Sequence, residues 1–175
     1  IATVDAQAGL MDLSVDLVGQ TEGISGTLKG VIKPKNFEGD AYEFTYDMQA
    51  EGDSANARLQ FTIPNPQLWW PNGLGDQNLY TLDTYFIDEN GFELDHDTTS
   101  FGIRTVKMEP LAELGPQEDC YNWTFIVNGE NVFMKGSGWC TLDALMRFTE
   151  ERYDRQLVLA KEQGIQFLRA WGPGM

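Results

Sequence analysis

Apolar and polar residues alternate along several short runs in the first 108 residues of the chain. In residues 10–18, LMDLSVDLV, every second side chain is apolar, and residues 41–49, AYEFTYDMQ, repeat the pattern. Successive side chains of a β-strand point to opposite faces of the sheet, so this period of two predicts strands with one buried face. Further strand candidates are GTLKGVIKP, ARLQFTIP, LYTLDTYFID and TSFGIRTVKM. Six or seven short strands without a helical period predict an antiparallel β-sandwich.

The pattern changes after Met108. Residues 109–124 are acidic and contain two prolines, which predicts an extended linker. The next segment, YNWTFIVNGENVFMKGSGW, predicts a hairpin that turns at Asn128-Gly129, followed by a buried strand, because Asn-Gly favours tight hairpin turns.

A helix is predicted to begin after Thr149, whose side chain suits an N-cap. Glu150 and Glu151 suit the positive end of the helix dipole, and Gly164 suits the position just past the last turn. Residues 165–171, IQFLRAW, form a second short apolar run. The order strand, loop, helix, strand predicts one βαβ unit of a parallel sheet.

A single βαβ unit cannot fold alone, because its parallel strands need further strands at their edges and helices over both faces. A (β/α)8 barrel needs about 250 residues, so this segment predicts only the start of one. The predicted organisation is a β-sandwich at 1–108, a linker at 109–124, and an N-terminal barrel fragment at 125–175.

Charge and composition exclude several classes of protein. The formal net charge is −15, which repels a polyanion at long range, so no nucleic-acid partner is expected. No run approaches the roughly 20 apolar residues of a membrane span. Cys120 and Cys140 are predicted to be free thiols, and His96 an exposed residue in a loop or at a strand end. No metal or other cofactor is expected, and the sequence does not assign a cellular location.

The stretch NPQLWWPNGLGDQNLYTL, residues 65–82, combines prolines, glycines and paired tryptophans. Its prolines oppose ladder pairing, and Trp69 and Trp70 must be either buried or bound to something. Paired tryptophans in a sandwich can stack on sugar rings, whereas large aromatic residues more often close the end of a core or a domain interface. We favour the structural role.

Candidate binding residues follow the two strands of the predicted βαβ unit. In a barrel, Trp139 and Asp143 would lie on a loop directed toward the active site. Asp143 can bind substrate hydroxyls or simply cap a turn, and the spacing does not decide between these roles. Arg169 follows the second apolar run and can hold a carboxylate ionised, although residue type alone favours a pair with a neighbouring acid. Trp171 and a Gly-Pro-Gly segment come next.

Taken in order, LWWPNGLGDQNLY, FGIRTV, FIVNGENVFMKGSGWCTLDAL and TEERYDRQLVLAKEQGIQFLRAWGPG resemble glycoside hydrolase family 2, within it the β-mannosidase and exo-β-glucosaminidase branch. Other branches typically place a His shortly after the Arg at position 169, whereas this chain has Ala170-Trp171-Gly172. The chain departs from the branch at Gln166, where Asn is usual, and at Pro173, which interrupts a glycine run. The resemblance implies an immunoglobulin-like sandwich before a (β/α)8 barrel.

The resemblance also implies a function for the parent protein. It would be a retaining exo-β-glycosidase with two glutamates about 5 Å apart, acting on terminal β-linked sugars. Those glutamates would follow the fourth and seventh barrel strands, so no catalytic residue is expected in this chain. Arg169 would contact the nucleophile, and Asp143, Trp171 and Trp139 would border the sugar subsite.

Two further expectations concern the chain itself. It should be inactive alone, since Glu150 and Glu151 belong to the start of the helix and Glu162 to its solvent face. Its apolar βαβ residues should lead to self-association through residues 125–175 or to packing on the sandwich. The competing hypothesis is a non-catalytic carbohydrate-binding or structural β-sandwich module.

Overall fold

The computed structural model describes residues 1–19, 23–111, 123–140, 142–143 and 145–172. The chain divides into two compact units, which we call unit 1 and unit 2. Unit 1 consists of Ile1–Trp69 and Gln77–Thr105, and unit 2 of Trp70–Asp76 and Val106–Met175. The sequence did not indicate that residues 70–76 group with the later part of the chain. Most of the predicted linker, residues 112–122, lies outside the described residues.

The described residues of unit 1 form seven antiparallel strands in two sheets. The strands are β1 Ala2–Asp5, β2 Leu10–Val18, β3 Ile24–Pro34, β4 Tyr42–Ala50, β5 Ser54–Thr62, β6 Tyr80–Asp88 and β7 Glu93–Phe101. One sheet has the order β1-β2-β5 and the other β4-β3-β6-β7. The first, second and fifth strands thus oppose the third, fourth, sixth and seventh, as in immunoglobulin-like sandwiches. This confirms the predicted fold class.

The core of unit 1 lies between the two sheets, where the apolar residues of the period-two runs meet. Met11 and Leu13 of β2 are 1% and 5% exposed, and they pack in one cluster with Ile32 of β3 and Leu82 of β6. A second cluster joins the sheets further along the strands, through Leu28, Met48, Ala57 and Phe86. In these strands the apolar side chains of the alternating pattern lie in the core, and the polar ones face the solvent.

The strand prediction differs from the structure at β7. Val106–Pro110 form a separate strand, so TSFGIRTVKM is not continuous, and β7 begins earlier, at Glu93. His96 is exposed, as expected, but it lies in the middle of this strand rather than in a loop or at a strand end. β7 pairs with β6 alone in its sheet, and all but its last residue are exposed. A strand that is polar on both faces carries no alternation to reveal it.

Unit 2 contains five strands and a helix among its described residues: β8 Val106–Pro110, β9 Trp123–Val127, β10 Glu130–Val132, β11 Gly136–Trp139, α1 Glu150–Glu162 and β12 Phe167–Ala170. β10, β9 and β8 form one antiparallel sheet, and β11 pairs with β12 in parallel. The order β11-α1-β12, with β11 and β12 parallel, is the predicted βαβ unit.

The local signals in unit 2 act as the sequence indicated. Asn128 and Gly129 adopt φ of +52° and +87° between β9 and β10, the left-handed pair that a tight hairpin requires. Thr149 caps α1 by accepting from the backbone N–H of Arg152. Gly164 follows the C-cap with φ of +75°. No residue of α1 is buried, and its Tyr153 and Ala160 are half-buried.

Candidate functional site

The carboxyl ends of β11 and β12 lie side by side in unit 2. The parallel ladder pairs Gly138 with Arg169 and Trp139 with Ala170. It continues one step further, because the backbone N–H of Trp171 donates to the carbonyl of Trp139 at 3.1 Å. Three of the four residues proposed from the sequence are thereby brought to one edge of the strand pair, which is the edge where barrels place their chemistry.

The side chain of Trp139 is half-buried against the helix. Its ring is stacked with that of Tyr153 of α1, with 6.3 Å between centroids and 22° between planes. Phe148 lies on the same tyrosine with a centroid separation of 6.1 Å. The aromatic contacts connect the end of β11 to the first turns of α1, and the sequence did not single out Tyr153 for this.

Asp143 is the most strongly bonded of the candidate residues. Its carboxylate accepts hydrogen bonds from Arg152 Nη1, from Arg147 Nε at 2.7 Å and from the backbone N–H of Leu145 at 2.8 Å. The side chain is 8% exposed. The Arg152 guanidinium, the Leu145 N–H and the Arg147 guanidinium, in that order, lower the pKa of Asp143 below its ordinary value. Asp143 is thus an ionised carboxylate that orders its own loop.

The two arginines were missed by the sequence reasoning. Arg147 lies four residues after Asp143, a spacing that indicates a local ion pair. Arg152 lies nine residues away and also donates to the carbonyl of Arg147 at 3.0 Å, a link that no short-range spacing rule reveals.

Arg169 and Trp171 are exposed at the end of β12. Trp171 is 58% exposed, and the Arg169 guanidinium has no hydrogen bond or ion pair with any residue that the structure describes. The Arg169 guanidinium is therefore available to bind another group, whereas the Asp143 carboxylate is already neutralised by two guanidiniums. Residues 173–175 of the predicted turn lie outside the described part of the chain.

The paired tryptophans take structural roles within their own units. In unit 1, the Arg104 guanidinium lies 4.4 Å from the centroid of Trp69, and a Cβ on Gly102 would meet the same indole at 3.0 Å. In unit 2, the ring of Trp70 covers Gly75. Both side chains are half-buried. This is the structural role that the sequence analysis favoured.

Other candidate chemistry is limited within the described residues. They contain no cluster of three or more His, Cys, Asp or Glu side chains arranged to hold a metal ion. None of the helices found in them has the length and apolar character needed to cross a bilayer. Cys140 is an exposed free thiol, whereas Cys120 lies outside the described part.

Comparison with known proteins places these features in a family. The model of glycosyl hydrolases family 2 matches residues 1–104. Beta-mannosidase B of Emericella nidulans is 30% identical over 149 residues, which cover 78% of this chain and 17% of that protein. Mannosylglycoprotein endo-beta-mannosidase of Lilium longiflorum is 29% identical over 139 residues, covering 77% of this chain and 14% of that protein. The chain thus spans less than a fifth of either relative.

Solved structures give the same fold. The exo-chitosanase of Amycolatopsis orientalis has a TM-score of 0.68 at 20% identity, covering 98% of this chain and 19% of that one. The beta-glucuronidase of Bacteroides uniformis has a TM-score of 0.71 at 18% identity, covering 91% and 18%. The sandwich, the βαβ unit and the family match over residues 1–104 together lead to one assignment. The chain belongs to glycosyl hydrolases family 2.

Proposed function

We propose that residues 1–175 are part of a retaining exo-β-glycosidase of the β-mannosidase type, which removes terminal β-linked sugars from oligosaccharides or glycans. The observation that carries this proposal is the parallel pair β11–β12, which brings Trp139, Arg169 and Trp171 to one edge. The relatives named as mannosidases support the sugar class. Unit 1 is the sandwich that precedes the catalytic barrel in this proposal.

Each residue at this edge has a proposed role. Arg169 is the available cation, and it would hold the nucleophilic carboxylate ionised, as a positive neighbour lowers the pKa of an acid. Trp171 is exposed, and its apolar ring suits the face of a sugar. Trp139 pairs with Ala170 and packs on Tyr153 of α1, so it would border the subsite from the side of the helix. Asp143 Oδ1 accepts the Leu145 N–H and no second hydrogen bond from the described residues, so the oxygen keeps a lone pair for a sugar hydroxyl.

The 175-residue chain alone is proposed to be inactive. A retaining mechanism needs two carboxyl groups about 5 Å apart, one of them free to attack carbon. At the described ends of β11 and β12 the carboxylate present is Asp143, and both guanidiniums occupy its Oδ2. Glu150 and Glu151 lie in the first turn of α1 and Glu162 in its last, all exposed to solvent.

The role of Arg169 is tested in the longer enzyme that contains this chain. Arg169→Lys keeps the charge but loses the planar fork, and kcat on an aryl β-mannoside should fall by about 100-fold or more. Arg155→Lys, an exposed helix position, is the matched control and should leave kcat within a factor of about two. Equal activities of the two variants would remove Arg169 from the site.

The competing hypothesis, a non-catalytic carbohydrate-binding module, is separated by titration. Mannose and manno-oligosaccharides are added to the chain while tryptophan fluorescence is recorded. No saturable change is expected, because Trp69 and Trp70 already pack on Gly102 and Gly75. Saturation that persists in Trp171→Phe would favour the binding module, because Trp171 belongs to the proposed glycosidase site.

We also propose that the isolated chain self-associates through residues 125–175. Apolar side chains are widely exposed there: Phe133 is 86%, Phe167 46% and Leu157 44% exposed. Exposed apolar surface of this kind is buried by a second copy when nothing else covers it.

A further inference from the structure

The loop of residues 70–76 in unit 2 is shaped by its own contacts. The N–H of Trp70 donates to the carbonyl of Asp76 at 3.0 Å, and the N–H of Leu74 to the carbonyl of Pro71 at 3.0 Å. Gly75 has φ of +156°, and a Cβ there would lie 2.8 Å from the Trp70 ring, so only glycine lets the indole lie on the loop. The loop therefore presents Asn72 in a fixed place.

Asn72 binds the end of α1. Its Nδ2 donates to the carbonyl of Lys161 at 2.8 Å and to the carbonyl of Ile165 at 3.2 Å. Lys161 lies in the last turn of α1, whose carbonyls carry the negative end of the helix dipole, and Ile165 lies just beyond the helix, so both carbonyl oxygens can accept from an amide. A neutral amide that donates satisfies them, whereas a carboxylate at this position would face two carbonyl oxygens.

Gln166 completes the connection with its own side-chain amide. Its Nε2 donates to the backbone carbonyl of Asn72 at 2.8 Å, and its Oε1 accepts from the N–H of Lys135 at 3.0 Å. The backbone N–H of Gln166 donates to the carbonyl of Lys135 at 2.8 Å. Lys135 immediately precedes β11, and Gln166 immediately precedes β12. One amide therefore aligns the first residues of both strands and ties them to the loop.

We propose that Asn72 and Gln166 are positioning residues for the site at the far end of β11 and β12, an inference that rests on the proposed function. They fix the register that pairs Gly138 with Arg169, which lies about 10 Å along the strand from Gln166. A slip of one residue would turn every side chain of β12 to the other face and carry Arg169 out of the site. Both residues are half-buried and act on the site only through β11 and β12.

The inference is tested first in the 175-residue chain by hydrogen exchange. Asn72→Asp and Gln166→Glu keep the side-chain shape but replace the donating NH2 with oxygen. Near neutral pH, amide exchange of residues 167–170 should accelerate by roughly 10-fold, the effect of one or two lost hydrogen bonds. The hairpin of β9 and β10 should not change. Asn131→Asp, an exposed residue of β10, adds the same charge to the same unit and is the matched control.

A pH profile separates a donor role from a general loss of packing. Protonation gives each new carboxyl group one O–H donor, so protection of residues 167–170, corrected for the intrinsic rate of exchange, should recover in acid. Exchange that stays fast in acid, or that rises equally in Asn131→Asp, would overturn the inference.

The longer enzyme supplies the functional arm. Asn72→Asp and Gln166→Glu should lower kcat on an aryl β-mannoside more than they raise KM, while Asn131→Asp leaves both unchanged. A kcat equal to that of the control would overturn the positioning role. An unmodified enzyme that hydrolyses no β-glycoside would contradict the proposed function instead, and the exchange result would still decide whether the amides fix β12.

Discussion

Arg152 donates a hydrogen bond to the carboxylate of Asp143, nine residues earlier in the chain, and thereby joins the loop after β11 to the first turn of α1. Arg147 donates to the same oxygen at 2.7 Å. The pKa of Asp143 is lowered chiefly by Arg152, so the ionised form is the one that the folded chain prefers.

This pKa shift predicts a pH-dependent contribution to stability. A carboxyl group with a lowered pKa in the folded state stabilises the fold above its ordinary pKa, about 3.9, and loses this contribution as the pH falls through the folded value. Asp143→Asn should therefore lower the unfolding midpoint near neutral pH, and the difference from the parent chain should disappear in strong acid.

Thermal unfolding followed across this pH range checks the prediction. Arg152→Met should reproduce most of the loss, whereas Arg155→Met, on an exposed position of α1, should not. A difference between Asp143→Asn and the parent chain that persists unchanged in strong acid would show that ionisation is not the cause.

A second prediction concerns close packing in unit 1. A Cβ on Gly30 of β3 would lie 2.0 Å from the ring of Phe44, its partner on β4. Gly30→Ala should therefore displace the ring and lower the free energy of unfolding by about 1–3 kcal/mol. Gly52→Ala meets nothing within 4 Å and should stay within about 0.5 kcal/mol of the parent. Urea unfolding of both variants makes the comparison, and equal stabilities would contradict the packing shown for Phe44.

A third prediction concerns backbone strain at Gly129 of unit 2, where an added Cβ would meet no other atom. Gly129 has φ of +87° with open space around its Cβ position, and Gly138 has the same open space without a positive φ. Gly129→Ala should cost about 1 kcal/mol or more, because a residue with a Cβ is strained in the left-handed region. Gly138→Ala should be nearly neutral. Exchange protection of the β9–β10 hairpin should fall in the first variant alone, and protection that survives would argue against the hairpin geometry.

A fourth prediction tests self-association. Phe133→Glu, in the exposed apolar surface of unit 2, should reduce the sedimentation coefficient of the chain at high concentration to that of a monomer. Phe92→Glu is the matched control, since Phe92 is 68% exposed in unit 1 and lies outside residues 125–175. A parent chain that sediments as a monomer at every concentration would contradict the proposal.

Local sequence signals predicted much of this fold, whereas the features that depend on contacts between distant residues could not be predicted. Asn128, Thr149 and Gly164 act within a turn of chain, so their sequence neighbours suffice to identify the hairpin and both ends of the helix. The grouping of residues 70–76 with unit 2 depends instead on Asn72 meeting a carbonyl 89 positions later, and no periodicity carries that information. Residues 93–98 of β7 escaped detection for a third reason, because both faces of the strand are exposed there.

The candidate site likewise has a part that the sequence predicted and a part that it did not. A parallel strand pair was predictable from two apolar runs on either side of a helix, and it brings Trp139, Arg169 and Trp171 together. The partners of Asp143 were not, because Arg152 reaches it only after the chain has turned at Met146, which has φ of +56°.

We propose that this chain contributes the sandwich and one edge of a glycosidase site but not the reacting carboxylates. The release of the aryl group from an aryl β-mannoside, measured side by side for the 175-residue chain and for the longer enzyme that contains it, tests this proposal. We predict that the longer enzyme hydrolyses the mannoside with retention at the anomeric carbon, and that the chain releases no product above a buffer blank. Turnover by the 175-residue chain alone, or no hydrolysis of the mannoside by the longer enzyme, would contradict this account.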